Sequence, residues 1–198
     1  SVADAKLSER KGFSQKNRDA YIASLRPAAQ DSPVDMSAIM AILQDKLDED
    51  AILTNGAGNF ALWPNKAFCF GPKQRLLAPQ SGAMGYGLPA AIAAGVAHPG
   101  RQVVCFAGDG DIQMGIAELG TAIQAGSKLI IIVLNNGSYG TIRMHQERDY
   151  PDRISGTNLY NPDFAAVAQA YGMAGFTVAK TEAFAAAFNK AVTAENGG

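Results

Sequence analysis

Two apolar runs, each ending in a polar loop and joined by one helical repeat, constrain this chain more than any other feature of its sequence. Gln102 to Ala107 reads as a strand and ends at Gly108-Asp109-Gly110. Leu129 to Leu134 reads as a second strand and ends at Asn135-Asn136. Between them Ile112, Ile116, Leu119 and Ile123 recur at helical spacing. The pattern predicts a β-α-β unit. A right-handed crossover makes its strands parallel and puts both loops beyond their carboxyl ends. Asp109 and Asn136, 27 positions apart, then converge on one rim. A carboxylate and an amide oxygen are hard ligands. They suit Mg²⁺, which commonly completes its shell with phosphate oxygens and water. The flanking glycines would let backbone approach such phosphates closely.

The rest of the chain continues the alternation. Met36, Ile39, Met40, Leu43 and Leu47 share one helical face. Ala51 to Thr54 reads as a short strand, and Tyr86 to Val96 as a small-residue helix. After Asn136 a short helix, Tyr139 to Glu147, leads into an irregular loop, Asp149 to Pro162. Asn161-Pro162-Asp163 opens another helix and Gly172 closes it. Phe176 to Ala179 reads as a strand, followed by a helix opened by Thr181 that carries Phe184, Phe188 and Val192. Alternating strands and helices predict an α/β fold, a doubly wound parallel sheet flanked by helices. Residues 1–32 differ: polar and basic, without clear periodicity before Tyr21, they read as a linker or isolated helix. The expected division is therefore a linker or tail over 1–32 and one domain over 33–198.

Composition removes several classes of function. The net charge of −1 provides no basic footprint for nucleic acid. No apolar run approaches a membrane span, and Ser1 to Arg10 has no signal-peptide core. Cys69 and Cys105 lack metal-binding spacing and read as free core or near-core thiols, which fits a reducing, cytoplasmic location.

The two loops together resemble the cofactor signature of thiamine diphosphate (ThDP) enzymes, Gly-Asp-Gly followed by Asn-Asn. Ser81-Gly82-Ala83-Met84-Gly85-Tyr86-Gly87-Leu88-Pro89-Ala90-Ala91 is similar to the aminopyrimidine-binding segment of the acetolactate synthase group. Gly56-Ala57-Gly58-Asn59-Phe60 is similar to an upstream diphosphate-contacting turn. The resemblance runs from about Pro33 to Glu195, with three motifs in the family's order. It implies the ThDP-binding fold, with ThDP and Mg²⁺ as cofactors. Asp109, Asn136 and the backbone carbonyl of Ser138 would ligate the metal. Gly58, Asn59, Phe60, Gly108, Gly110, Asp111 and Tyr139 would face the cofactor. Met84 would wedge between its two rings, while the Met84 N–H and the Gly82 carbonyl, either side of Ala83, would hydrogen-bond the aminopyrimidine.

The resemblance also implies what this chain lacks. In these enzymes a glutamate that activates the pyrimidine sits on a separate pyrimidine-binding domain, and nothing here matches that domain. Glu118 reads as structural, so no catalytic residue is assigned on this chain. The missing half is expected from an N-terminal part or a separate chain, across the subunit interface of a homodimer or homotetramer. FAD, in relatives that use it, would lie on a domain outside this chain. In the family a further strand follows the last helix, so the domain is expected to be cut short at its C-terminus.

The expected reaction is acetolactate synthase-like: a 2-oxo acid such as pyruvate loses CO₂ and the remainder passes to an acceptor. Pyruvate decarboxylase-like enzymes carry a glutamate six residues after the second Asn, where this chain has Ile142. Biosynthetic acetolactate synthases carry a tryptophan nine residues after it, where this chain has His145. His145 either faces substrate or is an ordinary polar helix residue, and the second reading is preferred. The alternatives are a benzaldehyde lyase- or benzoylformate decarboxylase-like enzyme and, outside catalysis, a flavodoxin-like nucleotide or flavin module.

Overall fold

The computed structural model describes residues 2–25 and 27–198, so Ser1 and Arg26, inside the expected linker, lie outside the described residues. Helix α1, Val2–Ser24, leads the chain. Leu7, Phe13 and Tyr21 on it are exposed, and none of its described side chains belongs to the core. The α/β fold begins with α2, Met36–Lys46, capped by Asp35, whose side chain accepts from Ser37 N–H.

Four parallel strands form one sheet: β1, Ile52–Asn55; β2, Arg75–Leu77; β3, Val103–Gly108; and β4, Ile130–Leu134. Their spatial order is β2-β1-β3-β4. Leu53 pairs with Val104, and Cys105 with Ile131. Because successive strand residues point to opposite faces, β3 divides its side chains between two cores. Val104 and Phe106 join Met40 and Leu43 of α2, together with Phe184 and Phe188 of the last helix, on one face. Val103, Cys105 and Ala107 join Leu88, Ala91 and Leu119 on the other. All six β3 residues are buried. The expected doubly wound architecture is what the chain adopts.

The helices between strands are short. A 3₁₀ turn, Asn59–Ala61, runs into α3, Leu62–Lys66. Helix α4, Gly87–Ala97, crosses from β2 to β3 and packs on β1 and β3. The crossover from β3 to β4 is not the single helix that the isoleucine spacing predicts. It is two pieces, α5, Asp109–Gln113, and α6, Glu118–Gln124. Tight bonds from Met114 N–H to the Asp111 carbonyl and from Gly115 N–H to the Ile112 carbonyl break it. Helices α7, Gly140–Asp149, α8, Phe164–Ala170, and α9, Thr181–Thr193, complete the chain. Gly172, with φ of 81°, ends α8 as expected.

Two expectations need correction. Phe176 to Ala179 has no regular secondary structure and forms no strand. A strand needs a partner for its backbone, and the nearest edge, that of β4, bonds elsewhere. Ile131 N–H donates to the Gly198 carbonyl, and Gly198 N–H to the Leu129 carbonyl. An apolar cavity of about 690 Å³ lies beside that edge, lined by Ile131, Val133, Phe176 and Phe188 among others. Secondly, Cys69 is exposed rather than near the core, while Cys105 is fully buried. No described helix is long and apolar enough to cross a membrane.

The chain's path reverses between β1 and β3. From β1 it moves outward to β2, then returns across β1 to β3 and on to β4. In open α/β sheets the crevice at such a switch point, beyond the carboxyl ends, is where ligands bind.

Candidate functional site

A cleft of about 410 Å³ opens at that point, between the loops after β1, β3 and β4. Gly58, Asn59, Phe60, Gly82, Met84, Gly108, Asp109, Gly110, Asp111, Asn136, Ser138 and Tyr139 all line it. Ala83 alone of the expected site residues does not, although it lies in the same loop as Met84. Trp63, Thr141 and Ile142 line it too. Sequence reasoning misses Trp63, though it sits one helical turn after Phe60 and both belong to the 59–66 helical segment. His145 is exposed on α7 and does not line the cleft, and Glu118 instead accepts from the Thr121 hydroxyl at 2.6 Å.

Asp109 is buried at the end of β3. Its Oδ2 accepts from Gly137 N–H at 2.7 Å, Ser138 N–H at 3.2 Å and the Asn161 amide at 2.7 Å. Its Oδ1 accepts, among the described residues, only from Gly110 N–H, at 3.0 Å. The ligand loop after β4 is shaped by its own bonds. Asn136 Oδ1 accepts from Ser138 N–H at 3.1 Å, an Asx turn. The Ser138 carbonyl accepts from Gly140 N–H at 2.8 Å. The loop is braced from outside, where Tyr139 N–H donates to the Thr157 carbonyl and Leu159 N–H to that of Gly137.

Asp109 Oδ1, Asn136 Oδ1 and the Ser138 carbonyl thus each accept one hydrogen bond and keep a lone pair. Three hard oxygens from residues that line one cleft fit a Mg²⁺ that also bonds phosphate oxygens. Among the described residues no cluster of three or more His, Cys, Asp or Glu side chains could hold a metal. A cation here would rely on this mixed set.

Asp111 has a different job from Asp109. Its carboxylate is buried and accepts from Gly85 N–H at 2.8 Å and Ala57 N–H at 3.3 Å. It ties together the loops after β1, before α4 and after β3. Burial pushes its pKa above the usual aspartate value, against the pull of those two backbone donors. Gly56 must be glycine for the same reason, since a Cβ there would overlap the Asp111 carboxylate.

The glycines of the Gly-Asp-Gly motif are pressed by aromatic rings. A Cβ on Gly108 would meet the Phe60 ring at 2.7 Å, and one on Gly110 would run into Tyr139. Asn59 N–H donates to the Thr141 hydroxyl at 2.9 Å, which fastens the turn after β1 to α7. Two buried acids thus line the cleft, Asp109, which supplies one of the three oxygens, and Asp111, which is bonded to backbone.

Comparison with known proteins agrees with this geometry. Residues 56–198 match the family described as "Thiamine pyrophosphate enzyme, C-terminal TPP binding domain", thiamine pyrophosphate being ThDP. An acetolactate synthase of Arthrospira platensis is 38% identical over 146 residues, covering 73% of this chain and 25% of that protein. An acetolactate synthase large subunit of Parasynechococcus marenigrum is 35% identical over 167 residues, 83% of this chain and 27% of its own length. The acetolactate synthase isozyme 2 large subunit of Escherichia coli is 34% identical over 149 residues, 74% and 27% respectively. The chain spans about a quarter of the length of these relatives.

Proposed function

Because this chain belongs to the thiamine pyrophosphate enzymes, as their C-terminal TPP binding domain, we propose that it is the diphosphate-binding half of an acetolactate synthase-like enzyme acting on 2-oxo acids. The observation that carries this reading is that Asp109, Asn136 and Ser138, each with an oxygen free to ligate, line the same switch-point cleft. Asp109 and Asn136 would hold Mg²⁺ through their side chains and Ser138 through its carbonyl. When bound, ThDP supplies the nucleophilic carbon and the electron sink for loss of CO₂. The chain's own residues position and enclose. Gly108 and Gly110, both lining the cleft, would let the backbone approach the diphosphate closely. Met84, which also lines the cleft, would hold the cofactor bent, so that its own amino group reaches the carbon to be deprotonated. Phe60, Trp63 and Tyr139 would exclude water from that carbon.

Transfer to an acceptor, rather than release of an aldehyde, is supported by Ile142. It lines the cleft where aldehyde-releasing decarboxylases carry an acid, so this chain supplies no proton donor at that point. The pyrimidine-activating glutamate is assigned to a pyrimidine-binding domain, in the same or another chain of a cytoplasmic homodimer or homotetramer. The family match sets the flavodoxin-like alternative aside. The test is complementation. The 198-residue chain, saturated with ThDP and Mg²⁺, is expected to leave pyruvate intact, and addition of a pyrimidine-binding domain to release CO₂. Robust decarboxylation by the chain alone would sink the split-site reading and turn attention to its own acids, Glu118 first.

A further inference from the structure

The metal-ligand aspartate is held by a side-chain relay that reaches it from two other elements. Asn161, just before α8, donates one amide hydrogen to Asp109 Oδ2 at 2.7 Å and the other to Asn135 Oδ1 at 2.7 Å. Its own Oδ1 accepts from Gln113 Nε2, at the end of α5, at 2.7 Å. The orientation of this amide is dictated by chemistry. An ionised carboxylate can only accept, so the nitrogen of Asn161 must face Asp109 and its oxygen must face Gln113. The residue is also fixed in place. Pro162 restricts the backbone of Asn161 to extended conformations. Asp163 anchors the next turn by accepting from Ala165 and Ala166 N–H.

We infer that Asn161 is a positioning residue for the Asp109 carboxylate and that Gln113 sets its amide. The inference rests on the reading of Asp109 as a Mg²⁺ ligand. With Asn161 present, Oδ2 is saturated by three donors, and the carboxylate cannot rotate without breaking them. Oδ1, with one donor, is then the oxygen turned over to the cation. The same amide pins Asn135, so the loop bearing Asn136 and the strand end bearing Asp109 keep a fixed relation. Groups behind a metal ligand that orient it in this way commonly change metal affinity by about 10- to 100-fold.

Gln113→Glu separates a relay from a mere structural contact, because the two predict opposite signs. The introduced carboxylate is isosteric with the amide it replaces and, at neutral pH, can only accept. It forces the Asn161 amide to turn its nitrogen outward and set its oxygen against Asp109 and Asn135. The relay therefore predicts weaker metal binding. Added negative charge by itself predicts tighter binding. The measurement is Mn²⁺ affinity of the full chain with ThDP present, followed by the EPR signal of free Mn²⁺. Both Gln113→Glu and Asn161→Ala are expected to weaken it about tenfold. A second readout needs no metal. The Gly137 amide donates to the same Asp109 oxygen, and its hydrogen exchange in metal-free protein is expected to quicken several-fold in both variants. Tighter or unchanged Mn²⁺ binding in Gln113→Glu overturns the relay, as does unchanged Gly137 exchange in Asn161→Ala. If the wild-type chain takes up no Mn²⁺, the metal reading of Asp109 falls, and the relay is judged on Gly137 exchange alone.

Discussion

Gly56→Ala is the sharpest test of how the three loops of the cleft are held together. A methyl group at residue 56 would occupy the space of the Asp111 carboxylate. That carboxylate is buried and accepts from Gly85 N–H at 2.8 Å and Ala57 N–H at 3.3 Å. Moving it breaks both. A hydrogen bond to a charged group contributes roughly 1.5–3 kcal/mol, so the substitution is expected to cost about 3 kcal/mol. For a domain of this size each kcal/mol lowers Tm by roughly 2–4 °C, which gives a fall of about 6–12 °C in a thermal melt followed by circular dichroism. Two controls isolate the cause. Gly82→Ala has open space around its Cβ and a φ of 67°, so it carries only left-handed strain, roughly 1–2 kcal/mol. Asp111→Ala removes the obstructing carboxylate, so adding Gly56→Ala to it is expected to cost almost nothing further. A full cost persisting in the Asp111→Ala background would refute the reasoning, and so would a Gly56→Ala melt indistinguishable from wild type.

In the complemented enzyme, Asp109→Ala is expected to lose far more activity than Ser138→Ala. The first deletes a buried anion that gathers three backbone N–H groups, while the second keeps the carbonyl and loses only the Ser138 hydroxyl bond to the Thr157 carbonyl. Comparable losses would mean the ligand assignment is wrong. A thiol titration of the native chain under mildly alkaline conditions should find one fast group, exposed Cys69, because burial pushes the Cys105 thiol up to about 12 and shields it. Two thiols reacting at equal rates would show that the β3 core opens readily.

The sheet is legible where its residues carry their own signal. The β3 and β4 runs are apolar throughout, and their loops carry the site's polar groups, so both fold and cleft can be placed from spacing. Strand β2 carries no such signal: Arg75–Leu77 is three residues long and only partly buried. The 176–179 segment has good strand residues, yet propensity cannot supply the backbone partner a strand requires. In the sequence Asn161 reads only as a helix opener. Its bonds to Asp109 and Gln113 span 52 and 48 positions, and no local pattern encodes a contact of that kind. The role of Asp111 in tying loops together is hidden in the same way: expected only to face the cofactor, it accepts from Gly85 and Ala57 on other loops.

The central claim is that this cleft binds a diphosphate through a metal held by Asp109, Asn136 and Ser138. Thermal melts of the chain with ThDP, with and without Mg²⁺, test it most directly. Ligand at about 100 times its Kd stabilises the folded state by about 2.7 kcal/mol, a rise of roughly 5–11 °C at the sensitivity expected for this size. The account predicts that rise with ThDP and Mg²⁺ together, growing with ligand concentration, and none with ThDP and EDTA. Equal protection with and without the metal would contradict it.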